Sequence, residues 1–184
     1  MAVRKVNLVL GEFYHVYNRG NSKQKIFLDT FDYLRFLRLL NVCNSERAFK
    51  LFFLKEEQVS FDRGEPLVAI GAYCLMPNHF HILLTPLVEG GAAKFMQKVQ
   101  TGYSMYFNNK YKRTGGLFEG RFKAEHAGGD TYLKYLFAYI HLNPVKLIQS
   151  DWKEKGINSP NKALQYAKVY SYSSLPDYIG TNRP

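Results

Sequence analysis

The sequence predicts an α+β fold in which helices cover one face of an antiparallel β-sheet. Strand and helix periodicities follow one another in the order strand, helix, strand, strand, helix, strand. Two of the strands are separated by only a short turn, which indicates an antiparallel pair. With 184 residues and 46% hydrophobic content, the chain suits one sizeable core. We therefore expect a single domain over residues 1–184, with a core at about 13–148 and a polar extension at 149–184.

The first strand and the first helix are predicted near the N-terminus. Apolar and polar residues alternate over residues 13–18, and a polar loop follows. A helix then begins at Asp29 or Thr30, either of which can cap it, and ends near Asn44. The apolar side chains that recur at helical spacing in this segment are Phe31, Leu34, Leu37 and Leu40.

The remaining elements complete the sheet. Residues 67–76 and 79–86 have strand character, and the Pro-Asn pair at 77–78 between them is turn chemistry. A second helix is predicted over about 92–111 and a fourth strand over 117–127. This order is that of a ferredoxin-like, or RRM-like, split βαβ sheet. The inner face of the second helix is predicted to consist of Phe95, Val99, Tyr103 and Tyr106.

A further helix is appended to this sheet. It is predicted to begin at Asp130, which is a good N-cap residue, and to end near Pro144. The polar tail after Ser150 is expected to form a short helix over about 161–168 and little else. The apolar positions of the appended helix are Tyr132, Leu136 and Ile140.

The composition favours a polyanionic partner. Lys and Arg outnumber Asp and Glu by 25 to 15, which gives a formal charge of +10. Aromatic residues make up 16% of the chain and offer flat surfaces for unpaired bases, although most of them are expected in the core.

The two cysteines, Cys43 and Cys74, are too far apart in sequence for a structural zinc pair, which fits a reducing compartment. No apolar run reaches the length of a membrane span and no signal peptide is evident, so we expect a cytoplasmic protein without a membrane partner.

Two histidines in the third predicted strand form the sharpest chemical feature. Because side chains alternate along a strand, His79 and His81 lie on one face of the sheet and Phe80 on the other. Two adjacent imidazoles provide half of a metal site. A pair of this kind also occurs as ordinary surface residues, so its neighbourhood decides between the two interpretations.

The appended helix carries a second pair of interest. Tyr139 and Asn143 are four residues apart and therefore share a helical face. If that face docks beside the histidines, the amide oxygen can complete a three-ligand site next to the phenol. Tyr139 could equally be one of many packing tyrosines, and Asn143 could be the polar end of a helix, because it precedes Pro144.

Taken together, four segments resemble the single-tyrosine HUH transposases. Asn143 stands where the smaller insertion-sequence enzymes tend to have Gln, which makes the REP-associated tyrosine transposases the closest subgroup. One departure is His141, which replaces an acidic residue often seen there. The matching segments are Tyr14–Gly20, Tyr73–Leu84 with its His-hydrophobe-His core, Leu117–Lys123 and Tyr139–Lys146.

The resemblance implies a metal-dependent DNA-nicking and rejoining enzyme. Its ligands for Mg²⁺ or Mn²⁺ would be His79, His81 and Asn143, and Tyr139 would be the catalytic nucleophile that forms a 5′-phosphotyrosine. The expected substrate is single-stranded or hairpin DNA. A phenol with a pKa near ~10 is a poor nucleophile at neutral pH, so a cation or the metal must stabilise the phenolate.

Other residues near the matched segments are expected to assist. His15 on the first strand is a candidate accessory group, although a buried histidine with a hydrogen-bond partner is equally consistent with the sequence. The candidate phosphate contacts are Arg19, Arg121, Lys123 and Lys146, for each of which a solvated basic surface is the alternative.

Two other functions remain open at this stage. The first is a binding module for single-stranded nucleic acid that has no catalytic activity. The second is a metal-dependent phosphodiesterase that uses water and leaves no protein-DNA adduct. The oligomeric state, monomer or homodimer, is also open.

Overall fold

A computed structural model describes residues 6–47 and 64–181, so the first residues of the predicted single domain 1–184 lie outside the described part. The strands are β1 (Tyr14–Arg19), β2 (Val68–Met76), β3 (His79–Pro86) and β4 (Lys123–His126). The helices are α1 (Thr30–Val42), α2 (Gly91–Lys110), α3 (Asp130–Leu142), α4 (Trp152–Lys155), α5 (Pro160–Val169) and α6 (Leu175–Tyr178).

The strands form one four-stranded sheet in the order β2-β3-β1-β4, and every neighbouring pair is antiparallel. β3 is inserted between β1 and β2, which is the split βαβ arrangement that the order of elements predicted. The α+β fold class is thus confirmed. β1 and β3 are central, so side chains on these two strands are held by hydrogen-bonded neighbours on both sides.

Each face of the sheet packs against different helices. Phe80 and Ile82 of β3 enter the larger core, which α1 and α2 cover. Leu83 of the same strand enters a smaller cluster with Leu136 and Ile140 of α3. Because side chains alternate along β3, the face that carries His79 and His81 is the one on which α3 packs.

The first helix is capped as predicted but turns a different face inward. Asp29 accepts a hydrogen bond from the Asp32 backbone and forms a reciprocal capping box with it. Phe31 and Leu34, which recur at helical spacing, are 64% and 51% exposed. Of the predicted set, Leu40 is buried and Leu37 is partly buried against the core, and the other buried apolar positions include Tyr33, Phe36 and Leu39. The helix thus has two apolar stripes, one with Phe31 and Leu34 and one with Tyr33 and Phe36, and the second packs against the rest of the core.

The fourth strand is shorter than the predicted range of 117–127, since it covers only Lys123–His126. Gly120 adopts a φ of +85°, which an extended strand does not accommodate. The segment before it is held by single contacts instead: Phe118 forms an isolated bridge with Gly20, and the Asn18 amide donates to the Gly120 carbonyl at 3.0 Å.

The appended helix predicted from the sequence is present as α3, with a corrected start. Gly129 occupies the N-cap position with φ of +80°, so the prediction of Asp130 as N-cap was wrong by one residue. Tyr132, grouped with Leu136 and Ile140 by spacing, is 38% exposed. A 3-10 turn, Asn143–Leu147, continues directly from the helix.

The C-terminal tail is more structured than predicted. The expected helix near 161–168 is α5, and two four-residue helices, α4 and α6, flank it. Residues between α5 and α6 run along β2, where Leu75 N–H donates to the Tyr172 carbonyl at 2.9 Å. Within residues 6–47 and 64–181, no helix combines the length and apolarity needed to cross a membrane.

Candidate active site

Two histidines of β3 form the centre of the candidate site. His81 pairs with Cys74 of β2 and so shares the sheet face of the cluster that holds α3, and His79 lies on the same face two residues earlier. Their ring centroids are 5.0 Å apart, and the ring planes are nearly perpendicular at 88°. One nitrogen of each ring can therefore reach a common point on this face.

Hydrogen bonds at the Nδ1 atoms orient both rings. His79 Nδ1 lies 2.6 Å from Asn78 Oδ1 and must donate to it, because an amide oxygen can only accept. His81 Nδ1 lies 2.8 Å from Nε2 of His15 on β1. With the proton on His81 Nδ1, the lone pairs of both β3 histidines are on Nε2. Histidines that bind metals usually have a partner of this kind on the other ring nitrogen.

Burial keeps this group of imidazoles neutral. Desolvation, and to a smaller extent the positive charge of Lys146, lowers the pKa of His79 to about 4. Desolvation also lowers the pKa of His15 to about 4 and that of His81 well below its ordinary value. A neutral imidazole offers the lone pair that a metal ion needs. Near neutral pH the site is therefore a cluster of lone-pair donors with cations at its edge.

Helix α3 holds Tyr139 directly over the histidines. Leu136 and Ile140 are buried against the sheet and fix the position of the helix. The ring centroid of Tyr139 lies 5.6 Å from that of His81 and 6.2 Å from that of His15, with an edge-on orientation in both cases. The predicted nucleophile and the predicted ligand pair are therefore neighbours in the fold, although their elements are far apart in sequence.

Asn143 extends the same helical turn. It has φ −53° and ψ −38°, so the backbone stays helical even though a proline follows. Its side chain is 1% exposed, and Nδ2 donates to the Tyr139 carbonyl at 3.0 Å. This bond commits the amide nitrogen and leaves Oδ1 as the atom that a cation would contact.

A lysine that the sequence analysis did not select contacts the Tyr139 hydroxyl. Lys153 Nζ donates a hydrogen bond to Tyr139 Oη and lies 4.0 Å from the centroid of the tyrosine ring. Lys153 belongs to α4, in the tail that was expected to have little structure. It follows Tyr139 by 14 residues, but α3 ends at Leu142 and a 3-10 turn separates it from α4, so the spacing rule for one continuous helix could not have indicated the contact.

Two of the predicted phosphate contacts lie close to the histidines. The positive charges of Lys146 and Arg19 both lower the pKa of His79, and Lys146 is exposed. Arg19 is already paired, since its Nε lies 2.5 Å from Glu119 Oε2. A phosphate contact by Arg19 therefore requires this partly exposed ion pair to open, whereas Lys146 needs no such change.

The other two predicted contacts are separated from each other. Lys123 lies opposite Tyr17 in the β1-β4 register, and Tyr17 lies opposite His81, so the three share a face of the sheet. Arg121 instead lines a cleft of about 770 Å³ between α2 and the segment before β4. The fold thus groups Lys123 with the histidines and leaves Arg121 outside the group. The roles of all four cations stay predictions.

The donor set suits a divalent ion only if the amide takes part. Across residues 6–47 and 64–181, no three His, Cys, Asp or Glu side chains are arranged to hold a metal ion. The predicted set consists of His79, His81 and Asn143, that is, two neutral imidazoles and one amide oxygen. These ligand types suit Mn²⁺ and, with additional oxygen ligands from a phosphate or water, Mg²⁺. The residues present are therefore compatible with the metal expected from the sequence.

Comparisons with known proteins agree with the resemblance seen in the sequence. Residues 65–143 match the family model described as "Transposase IS200 like". This range includes β2, β3, α2, β4 and α3, and hence both histidines, Tyr139 and Asn143. A search of curated proteins found no match.

A solved structure has a similar fold over the whole chain. It is described as "Structure of the REP associates tyrosine transposase bound to a REP hairpin". The alignment covers 100% of this chain and 89% of that chain, with a TM-score of 0.61 and 14% sequence identity. At this identity the match shows a common fold, and the hairpin belongs to that protein.

Proposed function

We propose that this chain, whose residues 65–143 match the family model of the IS200-like transposases, cuts and rejoins single-stranded DNA through a covalent bond to Tyr139. The observation that supports the proposal is the position of the Tyr139 hydroxyl. It lies on a helix docked over two neutral histidines and accepts a hydrogen bond from Lys153. A phenol, a potential metal site and a cation therefore converge on one side of the sheet.

The proposed reaction is an in-line transfer of a phosphoryl group. The Oη atom of Tyr139 attacks the scissile phosphorus, the bond from phosphorus to the 3′-oxygen breaks, and the 3′-oxygen takes up a proton. The product is a 5′-phosphotyrosine and a free 3′-hydroxyl. Attack by a 3′-hydroxyl on the phosphotyrosine reverses the step and rejoins the strand without ATP. A Mg²⁺ or Mn²⁺ ion bound by His79, His81 and Asn143 would polarise the scissile phosphate.

Lys153 supplies a positive charge that can stabilise the phenolate of Tyr139. A tyrosine hydroxyl has a pKa of about 10, so phenolate must be stabilised as the proton leaves. The Lys153 ammonium donates to the atom on which this negative charge forms. His15 has a different proposed role: it is 6% exposed and bonded to His81, so it positions the ligand ring.

The cations around this face favour a DNA strand. Lys146 and Lys123 present positive charge on the side of the sheet that carries Tyr139, and Arg19 can join them when its pair with Glu119 opens. The formal charge of +10 favours any polyanion, and the family narrows the choice to DNA. Since the solved neighbour was bound to a REP hairpin, hairpin DNA with single-stranded flanks is the substrate that we would test first.

The test is adduct formation on a labelled hairpin oligonucleotide in Mn²⁺, followed by denaturing electrophoresis. We expect a labelled protein band with the parent protein and none with Tyr139→Phe, while DNA affinity is nearly unchanged because only one oxygen is lost. Tyr166→Phe is the matched control, since it removes a hydroxyl from a tyrosine of α5 whose ring lies beside Tyr170. Omission of the metal should also abolish the adduct.

Two results would contradict the proposal. Cleavage without an adduct, retained in Tyr139→Phe, would identify a hydrolytic phosphodiesterase that uses water. Binding without cleavage, across several hairpins and both metals, would identify a non-catalytic binding module. The oligomeric state of the active form, monomer or homodimer, can be read from sedimentation of the same protein with and without DNA.

A further inference from the structure

Three tyrosines form a line along the outer side of α3. Tyr132, Tyr135 and Tyr139 follow a spacing of three and then four residues, which keeps them on one helical face. The ring centroids of Tyr132 and Tyr135 are 6.2 Å apart with an interplanar angle of 25°. Those of Tyr135 and Tyr139 are also 6.2 Å apart, with an angle of 15°. The rings are thus nearly parallel and lead directly to the proposed nucleophile.

The first two rings of this line have little part in the packing of the protein. Tyr132 is 38% exposed and Tyr135 is 63% exposed, while Leu136 and Ile140 provide the buried face of the helix. In the described part of the chain, neither of the two hydroxyl groups has a hydrogen-bond partner. Large exposed rings with a common orientation are a surface on which another flat group can stack.

We propose that Tyr132 and Tyr135 are a stacking platform for unpaired bases next to the phosphate that Tyr139 attacks. The proposal rests on the proposed function, because it takes the position of the scissile phosphate from the position of Tyr139. Stacking on tyrosine tolerates any base, since every base has a flat π-face. Bases in a duplex are already stacked on their neighbours, so the platform selects single-stranded DNA.

The distribution of charge supports bases as the occupants of the platform. Lys153 lies at the Tyr139 end of the line, where a phosphate would be held. The Glu125 carboxylate lies opposite His15 in the β1-β4 register and accepts a hydrogen bond from the Tyr17 hydroxyl at 2.6 Å; desolvation and then the charge of Glu125 raise the pKa of Tyr132, the tyrosine farthest along the helix from Tyr139. A carboxylate repels phosphate but accepts hydrogen bonds from the exocyclic amines of bases. The backbone of the strand is therefore directed to the cationic end and its bases to the tyrosines.

The test measures DNA affinity without chemistry. All variants are made in the Tyr139→Phe background and assayed in EDTA, so that neither an adduct nor a metal contributes. The probes are a fluorescent single-stranded oligo-dT and a duplex of the same length. Tyr135→Ala should weaken single-strand binding by about 5-fold to 150-fold, the range for loss of one base–aromatic stack, and should leave duplex binding unchanged.

Matched variants separate stacking from other effects. Tyr135→Phe keeps the ring and should bind like its parent. Phe31→Ala removes a ring that is 64% exposed on α1, which covers the opposite face of the sheet, and should also bind like the parent. An oligonucleotide with abasic positions in place of the bases should bind the parent at least as weakly as intact DNA binds Tyr135→Ala.

The proposal would be overturned if Tyr135→Ala lost no more affinity than Phe31→Ala, or if duplex binding fell equally. It would also be overturned if Tyr135→Ala dissolved a dimer in sedimentation and left DNA affinity unchanged, because the line would then bind a second copy of the chain. Adduct formation by the protein with an intact Tyr139 is measured separately. An adduct together with an unaffected Tyr135→Ala would refute the platform and leave the proposed function standing.

Discussion

Replacement of Lys153 by methionine removes the cation at the Tyr139 hydroxyl and keeps an unbranched side chain of similar length. In the structure, Nζ donates to Tyr139 Oη and lies 4.0 Å from the ring centroid. A hydrogen bond from a charged group contributes about 1.5–3 kcal/mol. Lys153 is exposed, so solvent screens part of this energy. We therefore expect adduct formation to slow by about 10-fold to 30-fold, from roughly 1.4–2 kcal/mol of lost stabilisation.

The assay is the single-turnover rate of adduct formation at saturating DNA, measured as a function of pH. The loss should appear in this rate and not in DNA affinity, because the lysine acts on the phenolate that forms during the reaction. Lys153→Arg should recover part of the rate, since the positive charge is retained.

Lys155→Met is the control for the change in net charge. Lys155 lies in the same short helix, has a side chain that is 74% exposed and is paired with Asp151 rather than with Tyr139. An equal loss of rate in Lys155→Met would mean that overall charge, not the contact, is responsible. A loss confined to the dissociation constant of DNA would make Lys153 a phosphate-binding residue and would refute its proposed action on Tyr139.

Three further results are expected. Asn78→Ala removes the acceptor of His79 Nδ1 and should weaken Mn²⁺ binding about 10-fold to 100-fold in calorimetry; equal affinity would mean that His79 is not a ligand. His141 is buried, which lowers its pKa from 6.5 to about 4. The unfolded chain therefore takes up this proton first, and stability that is full above pH 6.5 is lost as the pH falls towards 4, by about 3 kcal/mol for this residue. Urea unfolding in EDTA at several pH values should show a shallower slope for His141→Gln, and an identical slope would contradict the assignment. Ile140→Ala should reduce the free energy of unfolding by about 2–5 kcal/mol, because Ile140 is fully buried under α3. The same change at Leu164, which is 45% exposed, should cost much less, and equal losses would argue against docking of α3 by Ile140.

The parts of the fold that depend on local periodicity could be predicted from the sequence. The strands around the 77–78 turn, the helix capped by Asp29 and the split βαβ order all agree with the structure. The common face of His79 and His81 also follows from strand geometry alone. Each of these features depends on residues only a few positions apart, whose relation is set by the backbone.

Some segments have a sequence pattern that is compatible with more than one structure, and their structure could not be predicted from periodicity. Helix α1 has two apolar stripes, and only contact with the sheet decided that Tyr33 and Phe36 would be buried and Phe31 exposed. The fourth strand was predicted too long because its residues are compatible with an extended chain, yet Gly120 adopts a left-handed conformation. Packing therefore decided where the sequence pattern allowed more than one solution.

The candidate site shows the same difference between short-range relations and tertiary contacts. The sequence by itself determined a pair of imidazoles on one strand face and a tyrosine and an asparagine on one helical turn, because strand and helix geometry fix such short-range relations. Only the tertiary structure decided that α3 lies over the histidines, that Lys153 reaches Tyr139 from α4, and that Arg121 lies apart in another cleft. These contacts join elements that are distant in sequence, and their geometry depends on which apolar faces of the whole chain are buried against each other.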